Sequence, residues 1–147
     1  MTDSASTLRW SDSFVLGHAP MDDLHEEFVD LIGHMQSAEP EQLDELLELL
    51  ATHLHRHFDI ENTWMIETDF PPRDCHIDEH AAVLKSVDQV REQLRGGNVE
   101  ICRRLVDELA NWFPSHADHL DSALAHWMSK IRFGGKPVVL RRSLTLD

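Results

Sequence analysis

Residues 53–80 read HLHRHFDIENTWMIETDFPPRDCHIDEH. Within this stretch His57 precedes Glu61 by four residues, Phe70-Pro71-Pro72 follows, and His76 precedes His80 by four again. A spacing of four stacks two side chains on one helix face, so each pair can converge on a single ion. The prolines break the helical pattern between the pairs, and the two helices on either side describe half of a metal cage. Imidazole and carboxylate donors without thiolate favour iron or manganese over a structural zinc site.

Upstream of this stretch, Pro20 suits the first turn of a helix and Asp22 and Asp23 suit its positive end. Met21, Leu24, His25, Phe28, Leu31, Ile32 and Met35 then recur at intervals of three and four, which predicts a first helix to about residue 37 with His25 in its apolar stripe. A break at Ser37-Ala38-Glu39-Pro40 precedes a second helix, from Glu41 to near Asp69, that carries Leu43, Leu47, Leu50, His53, Leu54, His57, Glu61 and Met65 inward. The third helix spans residues 73–95 and stops at Gly96-Gly97.

Downstream, a fourth helix over residues 98–131 turns Leu105, Leu109, Trp112, Phe113, His116, Leu120, Ala123, Leu124 and Trp127 inward. Asp121 comes five residues after His116, about 140° round a regular helix, and would enter from the flank as a bridge between ions. Pro114 predicts a kink just before His116. Four amphipathic helices on short loops predict an all-α, up-down-up-down antiparallel four-helix bundle. The 147 residues read as one domain: an extended arm at 1–17 that lays Trp10, Phe14, Val15 and Leu16 on the body, the bundle at 18–131, and a short tail at 132–147 bearing Lys136, Arg141 and Arg142.

The inward donors are His25, His57, Glu61, His76, His80, His116 and Asp121. One histidine on an apolar face is ordinarily a hydrogen-bonded core residue. A glutamate in such a stripe is different, because burial is costly unless the carboxylate meets a cation. If both carboxylates and one oxygen bridge two ions, three imidazoles complete six ligands on one ion and two leave the other at five. The vacant position is where a small molecule would bind.

The remaining composition narrows the partners. A net charge of −14 argues against nucleic acid and against an anionic membrane surface. No run approaches the roughly 18 apolar residues of a membrane span, and with no visible targeting segment the cytoplasm is the expected compartment. Cys75 and Cys102 are expected to be free thiols, Cys75 packing rather than ligating. Of the other histidines, His53 lies one turn before His57 and His18 two turns before His25, as outer-sphere groups or alternative ligands. His34, His55, His119 and His126 read as surface residues.

The ordered set His25, His57-Phe58-x-x-Glu61, Met65, His76-x-x-x-His80 and Trp112-Phe113-x-x-His116-x-x-x-x-Asp121 resembles hemerythrin and the bacterial hemerythrin domains, from about Trp10 to about residue 131. The resemblance implies two iron ions with an oxo or hydroxo bridge: His76, His80 and His116 on one, His25 and His57 on the other, Glu61 and Asp121 bridging. It also implies a dioxygen pocket lined by Phe28, Phe58, Trp112 and Phe113, narrower than the Ile and Leu lining usual in the family. Leu24 stands where the family usually has Gln, and the chain has no tyrosine. The expected function is reversible dioxygen binding, as carrier, store or local supply, with no protein partner indicated. The alternatives are a di-iron redox enzyme or sensor acting on peroxide, oxygen or nitric oxide, with His53 or His18 as proton donor.

Overall fold

The computed structural model describes residues 7–132. Its rods are α1 (Ala19–Gln36), α2 (Leu43–Glu67), α3 (Arg73–Arg95) and α4 (Val99–His116), the last running through a π turn (Ala117–Asp121) into α5 (Ser122–Arg132). Each of the first four packs on its neighbour in the chain, and α1 meets α4 to close the ring. This is the predicted all-α bundle, with no strand among the described residues. Nor is any described helix long and apolar enough to cross a membrane. The predicted basic tail, with Lys136, Arg141 and Arg142, lies outside the described residues.

The turns follow local chemistry. Asp69 adopts φ 56°, and the Phe70 N–H then closes back on the Met65 carbonyl at 2.9 Å, ending α2 before the two prolines. Aspartate tolerates this left-handed conformation better than most residues. Gly97, at φ 95°, ends α3, with the Asn98 N–H donating to the Gln93 carbonyl at 3.0 Å. The Asn98 side chain in turn accepts the Ile101 N–H and starts α4.

The arm docks on α1 as predicted for Trp10 and Phe14, which pack on the core, whereas Val15 faces solvent. Two contacts anchor it. The Leu8 N–H donates to Gln36 Oε1 at 2.7 Å, and Asp22 accepts from the N–H groups of Leu16 and Gly17. Gly33 permits the first, because a Cβ there would stand 2.8 Å from the Leu8 carbonyl oxygen.

The interior divides lengthwise. One half is aliphatic, with Leu43, Leu47, Leu50, Val87, Leu94, Cys102 and Leu105 buried together, each large side chain contributing about 1.5–3 kcal/mol through burial. The other half is capped by Met21, Met65, Phe70 and Leu124. Between them lie seven buried histidine and acidic side chains. Cys75 is exposed rather than packed, because the face about 100° from His76 looks outward here, and both cysteines are free.

The fourth rod departs most from expectation. Pro114 lacks an N–H and leaves one backbone bond unmade. The chain nevertheless stays helical to His116 and then widens by one residue into the π turn. That extra residue shifts the phase of everything after it: Ala123 is exposed, and Leu124 and Ala125 face the core instead.

Candidate metal centre

The π turn also corrects the expected place of Asp121. In a ring closed from i to i+5, residues five apart take the relation that residues four apart have in an α-helix. Asp121 therefore falls beneath His116, its Oδ1 3.4 Å from His116 Nε2 and 3.0 Å from His76 Nε2, rather than on the flank. Its Oδ2 stands 3.1 Å from His25 Nε2, so this one carboxylate spans α1, α3 and α4.

Glu61 is its counterpart from α2. Its Oε2 accepts at 2.9 Å from His57 and 3.2 Å from His25, and its Oε1 lies 3.3 Å from His80 Nε2 and 4.0 Å from His76 Nε2. Glu61 is 0 % and Asp121 1 % exposed, so water stabilises neither charge. The donor atoms form two groups that share Glu61, one with His76, His80, His116 and Asp121, the other with His25 and His57. Within each group the atoms lie within 4.8 Å of one another.

Several of these close approaches are not hydrogen bonds. Glu61 Oε1, both Asp121 oxygens and the Nε2 atoms of His76, His80 and His116 are buried with no aligned partner. Orphaned polar atoms in a protein interior are rare and costly, yet here they point at a common space. Convergent lone pairs without protons between them are what a cation requires, and the donor set fits a metal centre.

The outer bonds set the ring orientations. His116 Nδ1–H donates to Glu79 at 2.7 Å, and His80 Nδ1–H donates to the Asn62 carbonyl oxygen at 2.8 Å. His57 Nδ1 meets His53 Nε2 at 3.0 Å, and His53 Nδ1 meets Glu27 at 2.5 Å. Because the Glu27 carboxylate only accepts, His53 donates to it and receives the His57 proton on its other nitrogen. Each of these three rings thus carries its proton on Nδ1 and turns a bare Nε2 inward. His53 is an outer-sphere group, not an alternative ligand. His18 stands apart from both donor groups, edge-on to Trp64 at 4.9 Å.

Electrostatics follow from burial and crowding. Burial opposes the charge on His25, but Asp121 and Glu61 outweigh it and raise its pKa to about 10 in the metal-free chain. Burial and mutual repulsion push Glu61 up, and the imidazoles around it still hold it well below the carboxylate range. For Asp121 the opposing burial is likewise overcome, by His116, His25 and His76. Burial and the adjacent His57 lower His53 to about 4, so it stays neutral. Glu79, partly desolvated but bonded to His116 and Trp112, is held below its ordinary value.

Phe28, Phe58, Trp112 and Phe113 meet in one enclosed pocket with Leu54, against His57, His116 and Asp121. It leaves no room for a water-sized sphere, so the lining is indeed narrow. Phe58 stacks on His80 at 3.9 Å and Trp112 on His116 at 4.2 Å. Sequence reasoning missed Glu27, Asn62 and Glu79, all polar residues on mainly solvated faces. Their only signal was register: Glu79 directly precedes His80, and Asn62 follows Glu61.

A helical bundle enclosing a histidine and carboxylate centre defines a class of metal-binding proteins. The model of the hemerythrin HHE cation binding domain matches residues 16–127. A bacteriohemerythrin of Ralstonia nicotianae is 35% identical over 84% of this chain and 90% of its own length. One from Aquifex aeolicus is 28% identical over 75% of this chain and 88% of its own, and one from Pseudomonas aeruginosa 25% over 84% and 86%. The chain belongs to the hemerythrin family.

Proposed function

We propose that this chain holds two iron ions in the buried cluster and binds dioxygen reversibly beside them. The observation that carries the reading is the set of seven buried donors, many without a protein partner, next to an enclosed aromatic pocket. His76, His80 and His116 would take one ion and His25 and His57 the other. Glu61 would bridge because it belongs to both donor groups, and Asp121 because it reaches His25 as well as His76. When bound, a ferrous pair supplies two electrons to dioxygen and recovers them on release.

The chain's own residues supply the surroundings. Phe28, Leu54, Phe58, Trp112 and Phe113 exclude water from the pocket. His53, Asn62 and Glu79 hold three imidazoles with Nε2 inward. A redox enzyme would need a proton donor at the pocket, for which His53 and His18 were the candidates. His53 has both nitrogens engaged, and neither residue lines the pocket. This favours a carrier, store or local supply of oxygen over a catalyst.

The test is anaerobic reconstitution with ferrous iron, metal analysis, then exposure to oxygen. Two irons per chain and a visible charge-transfer band that bleaches under vacuum are expected. One-way decay of the band with turnover of added peroxide points to the enzyme instead. Selective retention of zinc or manganese removes both readings.

A further inference from the structure

The pocket and the solvent share one wall. Seven of the eight lining residues, Phe28, Leu54, His57, Phe58, Phe113, His116 and Asp121, are at most 4% exposed, and the eighth, Trp112, is half-buried. Trp112 and His116 also line a separate open groove between α3 and α4, about 640 Å³ in volume, with Val83, Leu105, Leu109 and Glu79 among its other walls. The indole therefore stands between a closed chamber and bulk solvent.

What holds the indole is on the page. Its Nε1–H donates to Glu79 Oε1 at 2.9 Å, and the same oxygen accepts His116 Nδ1–H at 2.7 Å. One indole face stacks on the His116 ring, 4.2 Å between centroids and 28° between planes. Phe28 and Phe58 meet it edge-on at 6.3 and 6.4 Å. Of these restraints, the Glu79 hydrogen bond alone is directional and lies at the groove side, and the Glu79 carboxylate is itself part of the groove wall.

We propose that Trp112 is the door through which a small apolar ligand passes from the α3–α4 groove to the pocket, and that Glu79 is the positioning residue that latches it. The proposal rests on the pocket being the ligand chamber. Passage needs a rotation, because the closed chamber leaves no room for even a water-sized sphere. Rotating the indole toward the groove breaks one hydrogen bond to a charged acceptor and leaves His116 on that same oxygen. A door of this kind alters entry and exit by the same factor and leaves equilibrium affinity unchanged, since the free and bound end states are the same.

Two measurements test it. In zinc-loaded protein, hydrogen exchange of the Trp112 indole N–H is followed by 15N NMR. Loss of the charge-assisted bond in Glu79→Leu should speed that exchange by about tenfold. Glu79→Gln should stay near wild type, because an amide oxygen still accepts both protons. In iron-loaded, reduced protein, Trp112→Phe should raise the oxygen association and dissociation rates together, about tenfold each by the same factor, with Kd held. Trp112→Phe is the separating variant because it keeps the His116–Glu79 bond.

Indole exchange indifferent to Glu79 removes the latch. A change in dissociation rate alone for Trp112→Phe removes the door. If no variant gives an oxygen-dependent spectrum, the dioxygen reading falls and the door with it, whereas a failed latch shows itself with oxygenation intact.

Discussion

Glu61 and Asp121 are the two side chains whose burial has no rationale apart from a cation. Replacing Glu61 by Leu should cut the metal bound per chain by at least half while leaving helix content intact, read by metal analysis and circular dichroism. A variant that keeps a full metal complement would remove Glu61 as a bridge. His53 acts one step further out. His53→Leu strips the acceptor from His57 Nδ1–H in a buried setting, and outer-sphere losses of this kind weaken metal binding about 10–100-fold. Competition with a chelator measures the loss.

Proton linkage at the same residues has a definite sign. In the metal-free chain, His25 is raised from 6.5 to about 10, so its contribution to stability is complete below pH 6.5 and disappears as pH rises through about 10. Glu61 and Asp121 are depressed, so theirs is present above 4.5 and 3.8 and is lost as pH falls. Metal must displace the His25 proton. Loading at neutral pH should therefore release protons, and affinity should fall on acidification. Titration calorimetry in two buffers of different ionisation enthalpy reads the proton count directly.

At the scale of elements, the π turn after Pro114 is the device that aligns the fourth rod. It acts as one inserted residue, so removing a residue inside it should be tolerated. Deleting exposed Asp118 would set His116 and Asp121 four apart on a regular helix and keep Leu124 inward. Metal content close to wild type is expected. Deleting exposed Glu108 instead, within regular α4, would rotate everything beyond it by about 100° relative to the first half and should abolish metal binding. Equal losses in both deletions would mean that the π turn has a role beyond register.

For the whole molecule, the centre joins four rods at a level where apolar packing is replaced by polar donors. Ligand linkage stabilises by about 4 kcal/mol at a thousandfold excess over Kd. Removing metal should therefore lower Tm by several degrees or more. Hydrogen exchange should then rise around His76–His80 and residues 113–125, and much less around Leu43–Leu50, where the interior is aliphatic. Uniform loss of protection along all the helices would show that the aliphatic half does not stand without the centre.

The chain's own order of residues determined the four rods, their loops and the donor set, because those depend on local spacing: fours and threes along a helix, prolines and glycines between. Even Glu61 declared itself, since a carboxylate in an apolar stripe is costly without a cation. Only the tertiary structure decided how Asp121 is presented, which faces Ala123 and Ala125 take, and which outer groups orient the ligands. A π turn changes the phase of a helix without any composition signal of its own. Glu79 meets Trp112 and His116 across two helices, 33 and 37 residues away in the chain, through packing that no single helix encodes.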